Sequence, residues 1–160
     1  MYPVQAPDLP NDSPLAPAVV LDTNVVLDWL LFRDPHCTGL AALLERRHLR
    51  WHATPAMRLE LASVLVRPAL QRWLPNCERI LSTFDQLAHT GDSASDAAAG
   101  PVPLMRSRDP DDQKFIDLAV RVRARWLLSR DLALLRLARP AHVAGIEILT
   151  PARWQRLGGH

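Results

Sequence analysis

Two acidic residues stand just after apolar runs that have the character of buried strands. Asp22 follows the run at 18–21, and Asp131 follows a second run at 126–129. Short apolar runs bounded by polar turns are typical of strands buried on both faces of a parallel sheet. Ligands of such sheets bind beyond the carboxyl ends of the strands, so both carboxylates are expected at that edge. Asp also caps helices that follow strands, and this ordinary explanation stays open for each residue.

Glu60 falls in the middle of a predicted helix, on a face that is otherwise apolar. Its neighbours at i−3 and i+4 are Met57 and Val64, which lie on the same face of a helix. A carboxylate that points inward is costly unless it is paired or binds a cation. The alternatives are therefore a functional acid and an ion pair to Arg58 or Arg67.

The segment at 109–112 holds three acids within four residues. Asp109 suits an N-cap and Pro110 suits the first helical position, while Asp111 and Asp112 suit the positive end of a helix dipole. This capping role explains an acid at each position but does not require three of them. Like charges so close together repel, and a bound cation would relieve the repulsion.

Four acids from four separated segments, with no Cys and few His beside them, indicate a site for a hard cation. Mg²⁺ and Mn²⁺ prefer oxygen ligands, and such a site activates water for phosphodiester cleavage. The candidate catalytic and metal-binding residues are Asp22, Glu60, Asp112 and Asp131, and the additional candidates are Asn24, Asp109 and Ser129.

Alternating strand and helix signals position these residues. Strands are predicted at 18–21, 49–53, 126–129 and 146–149, and helices at 25–32, 37–47, 55–66, 75–89, 109–123, 132–137 and 151–157. Thr23 or Asn24 is expected to cap the first helix, and Thr54 the third, before Pro55. A loop is expected at 90–100 and a short edge strand at 102–105. The alternation predicts a parallel sheet that is covered on both faces.

Composition limits the classes of protein that fit. The 160 residues, 48% hydrophobic and 22% charged, suit one globular domain at 18–157, and the five prolines in residues 1–17 predict a mobile tail. No apolar run is long enough to span a membrane. Two distant cysteines and the lack of a signal peptide favour a cytoplasmic protein. The net charge of +2 does not mark a general polyanion binder.

A basic stretch at 46–52 has two explanations. Arg46, Arg47 and Arg50 are weak candidates for contacts to an RNA backbone, but cations that complement a helix C-terminus are the favoured explanation. His48 and His52 lie on either side of a predicted change from helix to strand. They would not share a face, so a zinc site there is disfavoured.

Four stretches stand out between Val19 and Trp154: VVLDTNVVLDWLL, TPAMRLELASVLVRP, SRDPDDQKFIDLAV and ARWLLSRDLALL. In this order they resemble the PIN-domain family, and within it the VapC-like ribonuclease toxins of bacterial toxin–antitoxin pairs. Singly each stretch is weak, but together they are fairly specific.

The resemblance assigns the family's four acids to Asp22, Glu60, Asp112 and Asp131, with Asp109 as a second match for the third acid. It implies an α/β/α sandwich with a central, mostly parallel sheet. It also implies RNA cleavage with Mg²⁺ or Mn²⁺, a homodimer, and inhibition by a cognate antitoxin. Two departures are a Ser at position 129, where many relatives have Thr, and the Pro-rich N-terminus.

Other functions fit the sequence less well. A non-cleaving, acid-lined nucleic-acid-binding module is the main alternative, although the presence of all four acids weighs against it. A haloacid dehalogenase phosphatase would need a second Asp two residues after Asp22, where Asn24 stands, and a receiver domain would need a Lys at a strand end. Lys114 is the chain's one lysine and fits neither. There is no GxGxxG, Walker A or GxSxG motif.

Overall fold

The computed structural model describes residues 16–91 and 105–158. Residues 1–15 of the predicted tail, most of the predicted loop at 90–100 and most of the predicted edge strand at 102–105 lie outside these ranges. The described end of the predicted tail contacts the domain, because the carbonyls of Ala16 and Pro17 accept hydrogen bonds from Arg50.

Five parallel strands form one sheet in the order β3-β2-β1-β4-β5. They are β1 (Ala18–Leu21), β2 (Arg50–His52), β3 (Ala88–His89), β4 (Trp126–Leu128) and β5 (Glu147–Leu149). Every residue of β1 and β4 is buried, as expected for central strands with both faces covered. In the register of the sheet Val20 lies opposite His52 on one side and Leu127 on the other. The carboxyl ends of the strands therefore meet at one edge.

Helices cover both faces of the sheet. They are α1 (Thr23–Leu30), α2 (Thr38–Glu45), α3 (Pro55–Leu65), α4 (Cys77–Leu87), α5 (Gln113–Arg121), α6 (Leu132–Leu135), α7 (Ala138–Val143) and α8 (Pro151–Arg156), with 3₁₀ turns at Pro35–Cys37, Pro68–Trp73 and Pro110–Asp112. Because crossovers between parallel strands are right-handed in nearly all proteins, the strand order places α1–α4 on one face and α5–α7 on the other. α5 contacts β1 and β4, and α8 contacts α2. The expected α/β/α sandwich is confirmed.

Aromatic contacts pack α1, α4 and α8 against the sheet. Trp51 of β2 is 1% exposed and meets Trp29 of α1 and Phe84 of α4 edge-on. Trp126 of β4 meets Trp154 of α8 in the same way. Each such pair stabilises the fold by about 0.5–1.5 kcal/mol beyond the contribution of the area that it buries. The pair of Trp29 with Trp51 therefore helps to fix α1, whose first residue follows Asp22, against the sheet.

Some predicted boundaries are wrong. α1 begins at Thr23 and has Asp22 at its N-cap position, so neither Thr23 nor Asn24 caps it. The predicted helix at 109–123 is a 3₁₀ turn followed by α5, and the one at 75–89 ends at Leu87 because the next two residues pair with β2. The cap at Thr54 is confirmed, since its hydroxyl accepts from the N–H of Met57 at 3.2 Å.

In the described parts of the chain, the longest and most apolar helices still fall short of what a membrane crossing needs.

Candidate functional site

Asp22 lies at the carboxyl end of β1 and is 4% exposed. Its Oδ2 accepts a hydrogen bond of 2.7 Å from the hydroxyl of Ser129. Burial raises the pKa of Asp22, and the nearby charges of Asp131 and Glu60 raise it further. Hydrogen bonds from Ser129 and from the backbone of Asn24 oppose this increase. The exposed Asn24 thus contacts Asp22 through its main chain.

Ser129 links Asp22 to the loop between β4 and α6. Its fully buried hydroxyl donates to Asp22 and accepts from the N–H of Asp131 at 2.9 Å. Asp131 also caps α6, because its Oδ1 accepts from the N–H of Ala133 at 2.7 Å. One serine hydroxyl therefore links the carboxylate of Asp22 to the main chain of Asp131, and the two residues follow neighbouring strands.

Asp112 approaches these carboxylates from the start of α5 and is 8% exposed. Burial raises its pKa to about 7, helped by a hydrogen bond with Asp131 and by the charges of Asp131, Asp22 and Asp109. A hydrogen bond between two carboxyl groups needs a proton on one of them. Among the described residues, Oδ2 of Asp112 is buried without a hydrogen-bond partner.

Asp109 adds an exposed carboxylate to the cluster. It caps the 3₁₀ turn as predicted, since its Oδ1 accepts from the N–H of Asp111 at 3.0 Å. Asp109, Asp112 and Asp131 each offer an oxygen that lies within 4.8 Å of the other two. The capping explanation is therefore confirmed for Asp109, and the spacing of the three carboxylates would also allow them to share an ion.

Glu60 lies at the border of the cluster and has two protein donors. The hydroxyl of Thr23 donates to its Oε2, and Nζ of Lys114 donates to its Oε1 at 2.8 Å. An ion pair was one alternative for Glu60, but the expected partners were wrong. Its partner is Lys114 rather than Arg58 or Arg67, and Arg58 is paired elsewhere.

A further buried acid, beside the site, was missed in the sequence. Asp28 of α1 is 4% exposed, and Arg130 meets it with Nη2 at 2.8 Å from Oδ1 and Nε at 2.6 Å from Oδ2. This pair ties the loop that carries Asp131 to α1. The signal was present: Asp28 has apolar neighbours at i−3 and i+4, Val25 and Phe32, which is the criterion that singled out Glu60.

The basic stretch lies away from the acids. Arg50 begins β2, so it lies at the amino edge of the sheet, and its Nε donates to the carbonyl of Ala16 at 2.8 Å. Nη2 of Arg47 donates to the carbonyl of Gln86 at 3.1 Å. Arg46 is the C-cap residue of α2, as the helix-end explanation expects.

The arrangement favours cation binding over covalent catalysis. Cys37 is 1% exposed, and burial raises the pKa of its thiol to about 12, so it carries almost no thiolate at neutral pH. The acid cluster offers only carboxylate oxygens, the donors that Mg²⁺ and Mn²⁺ prefer. The buried Oδ2 of Asp112 has no hydrogen-bond partner among the described residues, which fits a ligand for such an ion.

Comparison with known families agrees with this geometry. A family model described as a PIN domain matches residues 18–133, a range that includes Asp22, Glu60, Asp112 and Asp131. No curated protein and no solved structure matches the chain. PIN domains are generally nucleases that need a divalent metal. Because the matched range runs from β1 into α6 and covers most of the chain, the protein belongs to the PIN-domain family, and its sandwich is a nuclease fold with a cluster of acidic residues at the carboxyl edge of the sheet.

Proposed function

We propose that this PIN domain is an endoribonuclease that hydrolyses RNA phosphodiester bonds with Mg²⁺ or Mn²⁺. One observation carries the proposal: Asp112 is buried against Asp131, and its pKa is raised to about 7. A carboxylate in that environment is destabilised in its charged form, and a nearby cation removes the penalty. Perturbed acids of this kind concentrate at functional sites.

Each acid has a defined place in the proposal. Asp22, Asp112 and Asp131 would hold the ion, with Asp109 as an additional ligand. When bound, a divalent ion in such a site lowers the pKa of water and stabilises the leaving oxygen of a phosphodiester. Ser129 holds Asp22 and Asp131 in position through its two hydrogen bonds, so the ligands are oriented before the ion arrives.

RNA as the substrate and a role as a toxin are supported by the resemblance to VapC-like ribonucleases. The same resemblance supports a homodimer, a cognate antitoxin as partner, and action in the cytoplasm. We also propose that residues 1–17 are a tail to a single nuclease domain at 18–157. The family match that starts at residue 18 supports this division.

The test is cleavage of end-labelled single-stranded and structured RNA with Mg²⁺, Mn²⁺ or EDTA, beside DNA of the same sequence. We expect internal cuts in RNA with either metal and none in EDTA. Asp112→Asn should be inactive. Its matched control, Asp111→Asn, changes an exposed acid next to it and should remain active. Cleavage that persists in EDTA, or an active Asp112→Asn, would contradict the proposal.

Two further outcomes separate the related functions. Binding of RNA without cleavage under every metal condition would instead support a non-cleaving, acid-lined nucleic-acid-binding module. The toxin role predicts that expression of the wild-type chain in a bacterial host arrests growth, that Asp112→Asn does not, and that a small protein encoded beside it relieves the arrest. Normal growth with active enzyme would favour another nuclease role.

A further inference from the structure

An exposed aromatic residue lies where the end of α1 meets the 3₁₀ turn at Pro68–Trp73. Trp73 is 47% exposed, whereas the chain's other four tryptophans are buried. Its ring meets the ring of Phe32 edge-on, with the centroids 4.9 Å apart, and the guanidinium of Arg72 lies 5.3 Å from its centroid. Arg33, which is exposed, directly follows Phe32. An indole is therefore held in place beside basic side chains while much of it faces solvent.

A cavity adjoins this aromatic residue. It lies among α1, α2 and α4, has a volume of about 230 Å³, and is lined in part by the buried Trp29 and the exposed Arg33 and Arg79. Among the described residues, neither arginine forms an ion pair, and Glu45 is the one acid in the lining. Cavities that bind a whole small-molecule ligand measure roughly 300–1,000 Å³. A smaller cavity with two guanidinium groups suits one anionic unit of a longer chain.

RNA that reaches the carboxylates at the edge of the sheet is repelled by their charge, so its affinity has to come from positive groups elsewhere. The basic stretch at 46–52 is partly used within the fold, because Arg47 and Arg50 donate to backbone carbonyls. We propose that a single-stranded part of the substrate binds the basic-aromatic face formed by Arg33, Arg72, Trp73 and Arg79. A nucleobase stacks on Trp73, and phosphates accept hydrogen bonds from Arg33 and Arg79. Three arginines with an exposed indole favour a nucleic acid, because basic grooves with aromatic platforms bind single strands.

The length of α1 sets the distance from this face to the acids. α1 begins directly after Asp22, and Phe32 lies two residues beyond its end. At about 1.5 Å per residue, the face therefore lies about 12–15 Å along the helix from Asp22. A strand of about four nucleotides, at about 3.4 Å per stacked nucleotide, spans this distance. The inference rests on the proposed ribonuclease function, and it predicts that long RNA uses the face and that very short RNA does not reach it.

Binding of a long single-stranded RNA in EDTA tests the face without cleavage. Fluorescence anisotropy should show that Trp73→Ala binds this RNA about 5- to 150-fold more weakly, and that Trp73→Phe keeps most of the affinity. The double variant Arg33→Gln/Arg79→Gln should reduce the slope of log affinity against log salt by about 1.4. RNA should quench the tryptophan fluorescence of the wild type but not that of Trp73→Phe. The matched control is Arg139→Gln, which changes an exposed arginine of α7 on the other face of the sheet and should alter none of these.

Cleavage with Mn²⁺ separates the face from the catalytic centre. A short RNA with two nucleotides on each side of the cut extends only about 7 Å from it. In Trp73→Ala and in the double arginine variant, kcat/KM should fall for the long RNA and stay unchanged for the short one. Thermal melts establish that each variant is folded, and the double arginine variant changes only exposed side chains, so it tests the face even if Trp73→Ala does not fold.

Wild-type affinity in a folded Trp73→Ala, or a wild-type salt slope in the double arginine variant, would overturn the inference. So would equal losses of kcat/KM on the two RNAs, because the substitutions would then act through the catalytic centre. If RNA binding is unchanged but a small protein encoded beside the chain no longer inhibits these variants, the face binds a protein and the inference is wrong. Failure of the proposed function itself would appear as absence of cleavage by the wild type with either metal, whereas RNA binding to the face in EDTA would remain measurable.

Discussion

Replacing Asp112 by Asn should abolish RNA cleavage and, without metal, stabilise the protein at pH 8. The amide keeps the size of the side chain at the start of α5 but removes its charge. In the folded protein that charge is opposed first by burial and then by Asp131. Stabilisation on loss of a functional group is expected where the group is held in an unfavourable environment.

The magnitude follows from the pKa of Asp112, about 7 in the folded chain against an ordinary 3.8. At about 1.36 kcal/mol per pKa unit, ionisation costs the folded state up to about 4 kcal/mol. Because the folded pKa is raised, the native state binds the proton more tightly, and the penalty grows as the pH rises from about 4 to about 7. Asn interacts less favourably than a carboxylate with the helix dipole, which lowers the unfolding free energy of the variant by up to about 1 kcal/mol. We therefore expect Asp112→Asn to have an unfolding free energy about 1–3 kcal/mol higher than the wild type at pH 8, and this difference should shrink toward zero at pH 4.

Urea unfolding in EDTA between pH 4 and pH 8 measures this gain, with Asp111→Asn as the control that should show none. Saturating Mn²⁺ at about 100 times its Kd should stabilise the wild type by about 2.7 kcal/mol and Asp112→Asn by less. If Asp112→Asn is less stable at pH 8 and still cleaves RNA, Asp112 is only a helix-start acid. Asp109 would then be the stronger candidate for the third acid.

Other substitutions test how the site is held. Ser129→Ala should cost about 1–3 kcal/mol in unfolding free energy and at least about tenfold in rate, because Oδ2 of Asp22 loses its donor. Ser129→Thr keeps the hydroxyl as the control, and an unchanged rate in the Ala variant would contradict this role. In urea unfolding, Arg130→Met should be more destabilising than Asp28→Asn, because only the former leaves a buried charge unpaired. The reverse order would show that the charge of Asp28 does not need Arg130 as a partner. A chain that begins at Ala16 should fold and cleave RNA at the full-length rate, and a folded but inactive product would show that residues 1–15 contribute to the site.

Local sequence predicts the elements whose own residues show a clear apolar pattern. β1 and β4 are continuous apolar runs because both of their faces are covered. β3 is different: it is only Ala88–His89, and its strand state comes from pairing with β2, which local propensity does not encode. The unpredicted helix α7 contains Pro140. Proline is tolerated there because it lies in the first turn, where backbone N–H groups have no intrahelical partner.

The acids of the site could be found from sequence, but their partners could not. Strand ends and an apolar helix face were sufficient to single out the candidate carboxylates. The contacts from Lys114 to Glu60 and from Arg130 to Asp28 join residues 54 and 102 positions apart. Helical and strand periodicity carries information over a few residues only, so these ion pairs depend on the fold as a whole.

The placement of positive charge favours a cation site over a set of helix caps. Glu60 is paired with Lys114, and Asp28 with Arg130. Within residues 16–91 and 105–158, by contrast, no Lys, Arg or His forms an ion pair with Asp22, Asp112 or Asp131. Capping cannot account for this pattern, because it occupies one oxygen of Asp131 and leaves the repulsion from Asp112 in place. Among the described residues, Glu60 and Asp28 are paired with basic side chains and the central carboxylates have no ionic partner, which is the arrangement that a divalent cation would stabilise.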